Sequence, residues 1–122
     1  EIYFPASLKE LKDGWCSDAG CLTQIIISPS NSQFIVKENK YLLGKSDEYK
    51  DEFDILSFEY RNIKKITIPS NIKIISSWAF GRCYDLTQVV LLPNSNLQII
   101  GSYAFSETQI KEIFIPSTVS KN

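Results

Sequence analysis

Ile63-Lys64-Lys65-Ile66-Thr67-Ile68-Pro69 returns as Leu86-Thr87-Gln88-Val89-Val90-Leu91-Leu92-Pro93 and again as Ile110-Lys111-Glu112-Ile113-Phe114-Ile115-Pro116. The copies begin at residues 63, 86 and 110. Alternation of apolar and polar positions at the end of each copy gives a short strand with one buried face. The proline behind it has no amide to donate, so the ladder stops there and the chain turns a corner. The second half of the unit repeats too: Ile75-Ser76-Ser77-Trp78-Ala79-Phe80 matches Ile100-Gly101-Ser102-Tyr103-Ala104-Phe105, each after an apolar pair, Ile72/Ile74 and Leu97/Ile99. These positions bring the chain back under the first strand. The small-plus-aromatic Ala-Phe pair lets a tight turn approach the core while one ring fills it, and a short helical turn is expected there. One such unit cannot bury its apolar face alone, whereas stacked copies can. Successive strands then lie about 4.8 Å apart in a parallel sheet.

A degenerate copy opens the chain. Phe4-Pro5 takes the place of Ile68-Pro69, Leu8 and Leu11 that of Ile72 and Ile75, and Cys16 that of Phe80, although Trp15-Cys16 replaces Ala-Phe. A new strand pattern follows in Leu22-Thr23-Gln24-Ile25-Ile26-Ile27-Ser28-Pro29. Between Pro29 and Ile63 the pattern changes. Phe34-Ile35-Val36 and Tyr41-Leu42-Leu43 flank Lys37-Glu38-Asn39-Lys40 and read as a hairpin, and Phe53-Asp54-Ile55-Leu56-Ser57-Phe58 reads as a further strand. Residues 30–62 are an irregular island inserted in the array, too short for a core of their own. The expected organisation is a single domain, 1–122, with rungs at about 1–21, 22–62, 63–85, 86–109 and a truncated 110–122. The tail after Pro116 has no return half, and no polar capping repeat is visible, so the chain is expected to be part of a longer array or packed against something.

Composition narrows the function. The chain has 122 residues, 13 Lys+Arg against 14 Asp+Glu, and no histidine. Near-neutral charge argues against a nucleic-acid partner held by a broad basic field. Without histidine there is no Ser-His-Asp or Cys-His catalysis and no His-ligated metal. Three cysteines, Cys16, Cys21 and Cys83, form neither a closed disulfide framework nor a four-ligand zinc site. They read as small buried hydrophobes, with a Cys16–Cys21 disulfide as the alternative. No run is long enough for a membrane helix, and no Asn-x-Ser/Thr sequon occurs. No enzymatic activity, cofactor or metal is expected, and no direct membrane insertion of this segment.

The unit L-x-x-[VI]-x-[IL]-P-x-x-[VIL]-x-x-I-x-x-x-A-F-x-x-C, best carried by residues 63–85 with Ala79-Phe80-Gly81-Arg82-Cys83, resembles the BspA-like class of leucine-rich repeats. Residues 86–109 carry it with Glu107 and Thr108 where the cysteine would stand. The island, with Phe34 and Asn39-Lys40-Tyr41-Leu42-Leu43, is similar to irregular units of protist members. The resemblance implies a right-handed leucine-rich-repeat solenoid of the α/β horseshoe class, β-dominated, with a parallel sheet. It also implies a surface or secreted protein of a host-associated microbe that adheres to host cells, matrix proteins or other microbes. It hands over no catalytic residues, and fold alone does not fix function.

The outward strand positions are the candidate partner-binding face. One column reads Ile26, Thr67, Val90 and Phe114; its neighbour reads Gln24, Lys65, Gln88 and Glu112. The island is expected to interrupt them after Ile26. An apolar stripe on an exposed sheet marks a partner site, although β-branched and aromatic residues also favour strands for their own sake. The acidic stretch Asp47, Glu48, Asp51, Glu52 and Asp54 lacks the calcium-loop order and reads as a solvated loop. Arg61, Lys64, Lys65 and Lys73 read as a small basic cluster serving solubility. Trp78 and Tyr103, at equivalent places, are expected to pack together on the convex side. The function expected is a non-enzymatic protein-binding module at the cell surface; the alternative is an intracellular scaffold packed against neighbouring protein in a larger assembly.

Overall fold

The computed structural model describes residues 2–12, 15–16, 24–38, 41–61, 63–110 and 113. Among these residues nine short strands run in chain order: β1 Ile2–Phe4, β2 Ile25–Ile27, β3 Phe34–Lys37, β4 Tyr41–Gly44, β5 Ile55–Glu59, β6 Lys65–Ile68, β7 Ile74–Ile75, β8 Gln88–Leu91 and β9 Ile99–Ile100. Strands at the same phase of successive repeats pair in parallel. β6 meets β8 with Lys65 opposite Gln88 and Ile68 opposite Leu91, and β7 meets β9 with Ile75 opposite Ile100. β1 and β2 make an equivalent parallel pair, Phe4 opposite Ile27. In β6 the alternation has its expected effect: Ile66 and Ile68 are buried while Lys65 and Thr67 are exposed.

Asparagines fasten the corners after these strands. The Asn31 side chain donates to the carbonyls of Pro5 and Leu8 at 2.8 and 3.1 Å, and its Oδ1 accepts from the amides of Gln33 and Phe34. Asn71 donates to the Phe53 carbonyl at 3.0 Å and Asn96 to that of Ser70 at 3.1 Å. Each therefore ties its own corner to the preceding turn of the chain and supplies partners to backbone groups that sheet pairing leaves unused.

The Ala-Phe segments are not helical. Trp78, Arg82, Tyr103 and Glu107 have φ of 63°, 62°, 58° and 58°, in the left-handed region that a right-handed helix excludes. Amide donors alternate instead. Those of Ala79, Gly81 and Cys83 bond back three residues, while those of Trp78, Phe80 and Arg82 reach the carbonyls of Ser102, Ala104 and Ser106 in the next repeat at 3.2, 2.8 and 2.7 Å. The expected helical turn thus gives way to chained tight turns, because bonds to the neighbouring repeat are worth as much as bonds along a helix and hold the repeats together. Consecutive turns approach so closely that a Cβ on Gly101 would lie 2.4 Å from the Ser77 nitrogen, a place only glycine fills without displacement. The rings stack repeat on repeat, Phe80 on Phe105 at 5.0 Å and Trp78 on Tyr103 at 5.1 Å, the latter pair as expected from their equivalent places. Full burial of a Phe80-sized ring contributes about 2–3 kcal/mol, and such a stack about 0.5–1.5 kcal/mol more.

The hairpin in the island forms where the sequence placed it, with Phe34 opposite Gly44 and Lys37 opposite Tyr41; its Asn39 and Lys40 lie outside the described residues. It joins β5 in an antiparallel pairing, and β5 in turn pairs in parallel with β7. The sheet therefore runs β3-β4-β5-β7-β9 without a break, the island strands on one side and the return strands of the repeats on the other. β4 is buried throughout because both its faces are covered. Tyr41 and Leu43 enter a C-terminal core with Leu56, Ile68, Ile75, Phe80 and Leu97. Leu42 enters an N-terminal core with Phe4, Cys16, Ile25, Phe34 and Phe58, against which Leu8, Leu11 and Trp15 pack.

Arg61 joins these halves. Its guanidinium donates to the carbonyls of Ala79 and Trp78 at 2.7 and 3.1 Å, to Glu59 at 3.1 Å and to Cys16 at 3.3 Å, and lies over the Phe58 ring. It thereby gathers carbonyls of the Trp78–Ala79 turn, of Cys16 and of the end of β5 around one side chain.

Candidate functional site

On the front of the molecule β6 and β8 carry four of the eight candidate residues side by side. Lys65 is opposite Gln88 and Thr67 opposite Val90. Lys65, Thr67 and Gln88 are exposed and Val90 is half-buried. Beneath them Ile66, Ile68, Val89 and Leu91 anchor the strands in the C-terminal core, so the outward side chains sit on a rigid base. Phe114 and Glu112 lie outside the described residues. Ile26 and Gln24 are both exposed, but they belong elsewhere: Ile26 is opposite Tyr3 in the separate β1–β2 pair. The columns are interrupted after Ile26, as the inserted island led us to expect.

The interruption has a definite structure. Glu38 and Tyr41, from the tip of the β3–β4 hairpin, line a hollow of about 390 Å³ whose other wall is Ile63, Lys65 and Thr67. Burial, then the nearby Glu38 and Glu59 carboxylates, push the Tyr41 phenol above its ordinary pKa, so it presents a neutral O–H donor. The front thus consists of two patches. One carries Lys65, Thr67, Gln88 and Val90 beside Glu38. The other carries Ile2, Tyr3 and Ile26, with exposures of 37, 59 and 40 %. Tyr3 and Glu38 were not singled out from the sequence; Tyr3 had a signal, being at the Thr67 place of the degenerate first copy, whereas the position of Glu38 depends on how the hairpin docks.

The other charged groups are committed locally. Asp54 is buried and accepts from the amide and hydroxyl of Ser46 at 2.8 and 2.5 Å, which closes the loop from 46 to 54. Lys73 pairs with Glu52 and Asp54 at 3.4 and 3.7 Å, Glu48 pairs with Lys9 at 3.7 Å, and Asp47 caps the amide of Tyr49. The acidic stretch is therefore not one solvated loop throughout, since Asp54 turns inward. Nor do the four basic residues act as one cluster: Arg61 is taken up by turn carbonyls and Lys73 by carboxylates, leaving Lys64 and Lys65 exposed. Among the described residues, no three acidic or cysteine side chains are grouped to hold a metal ion, and no helix is long and apolar enough to cross a membrane. Cys83 is buried, and so is Cys16, whose sulfur lies 3.7–4.0 Å from the carbonyls of Ser57, Ser77 and Trp78; Cys21, its alternative disulfide partner, lies outside the described residues.

Known proteins share this architecture. A leucine-rich repeat protein from Eubacterium ventriosum superposes with a TM-score of 0.79 at 25% identity, over 98% of this chain and 31% of that one. The pneumococcal vaccine antigen PcpA superposes with a TM-score of 0.72 at 20% identity, over 97% of this chain and 28% of that one. The chain thus spans less than a third of either. No curated protein sequence matches it. The model of the BspA type leucine-rich repeat region (6 copies) matches residues 51–122. That span holds the three copies of the strand-proline unit and both Ala-Phe turns, and by it the chain belongs to the BspA-type leucine-rich repeat family.

Proposed function

We propose that residues 1–122 are one repeat domain of a longer array and bind a protein partner through the front strands, without enzymatic activity. The observation that carries this reading is the β6–β8 register: Lys65, Thr67, Gln88 and Val90 form a contiguous outward patch on strands whose opposite faces are fixed in the core. Such a patch sets the apolar surface of Val90 beside polar groups that can fix a partner's orientation. By their places in the repeat sequence Phe114 and Glu112 are assigned to the same interface, and Ile26 with Gln24 to a flanking contact. Leucine-rich repeats are generally protein-interaction modules, and one structural relative is a vaccine antigen. Both support adhesion to host-cell or matrix proteins at the cell surface.

Two measurements test the reading. Intact and permeabilised cells expressing the protein are labelled with antibody: labelling of intact cells is expected, and labelling only after permeabilisation would replace adhesion by a scaffold role inside a larger assembly. Thr67→Arg with Val90→Asp, and separately Phe114→Asp, are then compared with the parent for capture of immobilised matrix and host-cell proteins. Loss of capture with unchanged unfolding is expected; unchanged capture would show that the front patch is not the interface.

A further inference from the structure

We propose that the cleft behind the hairpin, between residues 7–12 and the continuous sheet, binds an acidic sugar of monosaccharide size. The cleft encloses about 210 Å³ and widens into an open mouth along Ser7, Lys9, Lys45 and Glu48. That is smaller than a pocket for a drug-sized ligand and suits a single ring. Its floor is polar where the surroundings are apolar. Ser57 and Ser77, 4 and 9 % exposed, both line it. Their carbonyls face the Cys16 thiol, but no hydrogen bond within the described structure engages either hydroxyl. Neither hydroxyl is among the buried atoms left without a partner, so water in the cleft satisfies them in the free protein and a ligand can take its place.

The walls supply the remaining chemistry. Lys9, Lys12 and Lys45 line the cleft and its mouth against two acids, Glu10 and Glu48. Lys9 is partly engaged by Glu48 at 3.7 Å, which places its ammonium at the mouth, and the Lys45 ammonium lies 5.0 Å from the centre of the Phe53 ring, outside the cleft lining. Trp15, half-buried, adds indole surface and is held by ring contacts to Phe4 and Phe58. Gly44 keeps the floor open: a Cβ there would stand 3.1 Å from the Phe34 ring and 3.5 Å from the Ser57 hydroxyl. Paired hydroxyls, an aromatic surface and a cationic rim together recognise a ring bearing hydroxyl groups, an apolar face and a carboxylate. A neutral sugar leaves the lysines unused, and a bare polyanion leaves the indole and the floor unused.

The test is saturation-transfer NMR and titration with glucuronic acid and N-acetylneuraminic acid, with glucose and citrate as comparators. One or both acids are expected to bind, more tightly than glucose or citrate. Lys12→Ala and Ser57→Ala should each weaken that binding by roughly three- to tenfold, the loss of one hydrogen bond or ion contact. Gly44→Val should abolish it, and the Thr67→Arg, Val90→Asp variant should leave it unchanged, which separates this site from the front patch. Lys12 is on the surface, so its replacement reports on the cleft even where a floor substitution disturbs folding. Failure of both acids to bind, equal binding of glucose or citrate, or binding indifferent to Lys12→Ala would each overturn the proposal.

Discussion

Replacing the three corner asparagines one at a time should produce a graded loss of stability, largest at Asn31. Asn31 is buried and makes four hydrogen bonds, two donated to Pro5 and Leu8 and two accepted from Gln33 and Phe34. In Asn31→Ala the amides of Gln33 and Phe34, both in a buried setting, lose their acceptor, and each orphaned donor costs about 1–3 kcal/mol. The Pro5 and Leu8 carbonyls are only partly buried, so water replaces much of what they lose. The expected cost is about 2–4 kcal/mol. Asn71 makes a single part-buried bond to Phe53, and its alanine variant should cost about 1 kcal/mol. The Asn96 side chain makes one exposed bond, to the Ser70 carbonyl, which the Asn96 amide also serves, and its variant should stay within about 0.5 kcal/mol. At roughly 3–5 °C per kcal/mol for a chain of this length, Asn31→Ala should lower the melting temperature by roughly 6–20 °C and Asn96→Ala by no more than about 3 °C. Urea unfolding followed by far-ultraviolet circular dichroism and tryptophan fluorescence reads the series. Limited proteolysis should find new cleavage around residues 5–12 in Asn31→Ala alone. Equal losses at the three positions, or a larger loss at Asn96 than at Asn31, would refute the assignment of stability to these side-chain bonds.

Arg61→Met should cost about 3–5 kcal/mol in urea unfolding, because four carbonyl acceptors lose a charged donor at once. Arg61→Lys should recover less than half of that, since one ammonium cannot span the positions of both guanidinium nitrogens; full recovery would show that charge alone matters. Burial pushes the Cys83 thiol up to about 11 from its ordinary 9.0, with Arg61 pulling partly the other way. The folded state therefore holds this proton longer than the unfolded chain does. Its stabilising effect is complete below pH 9 and is lost as pH rises toward 11. Tyr41, raised above 10.0, acts in the same direction at higher pH. Unfolding midpoints should fall between pH 9 and 11, and Cys83→Ala should remove the part of the fall below pH 10; an identical slope in the variant would exclude the thiol as its source.

The strands with proline corners were legible because their information is local: alternation chooses the buried face, and the proline ends the ladder. The hairpin was legible for the same reason. The turns were not. Ala79-Phe80-Gly81-Arg82 has nothing against a helix in its own composition, and Trp78 and Arg82 take positive φ in a run of turns whose Trp78, Phe80 and Arg82 amides donate to the next repeat. The asparagine contacts had a visible signal in Pro29-Ser30-Asn31 and Pro69-Ser70-Asn71. Asparagine after proline is also ordinary turn chemistry, however, and the bond to the preceding repeat is apparent only in three dimensions. The same holds for Arg61, which sequence grouped with exposed lysines and folding turned toward carbonyls. Outward positions on β6 and β8 could be assigned from alternation alone, whereas the membership of Ile26 in the same surface depended on what separates β2 from β6.

What separates them explains why the chain has both an interrupted front and a cleft behind it. A repeat strand has one face for the core and one for solvent, but β4 has a core on each side. A strand with two buried faces must be apolar at consecutive positions, and Tyr41-Leu42-Leu43 is the stretch of the island that meets this demand. The hairpin therefore acts as a partition: the N-terminal pair β1–β2 packs on one side and the C-terminal repeats on the other, joined through Phe58, Trp78 and the carbonyls that Arg61 collects. Because the hairpin comes between the two sets, the β1–β2 ladder is not continued by β6, and the front is divided at Glu38 and Tyr41. Because β4 pairs antiparallel to β5 where a further parallel return strand would have stood, residues 7–12 are not hydrogen-bonded into the sheet, and space remains between them and Gly44, Ser57 and Ser77. The insertion that departs most from the repeat pattern is thus what gives this segment surfaces that a regular stack of its own repeats would not have.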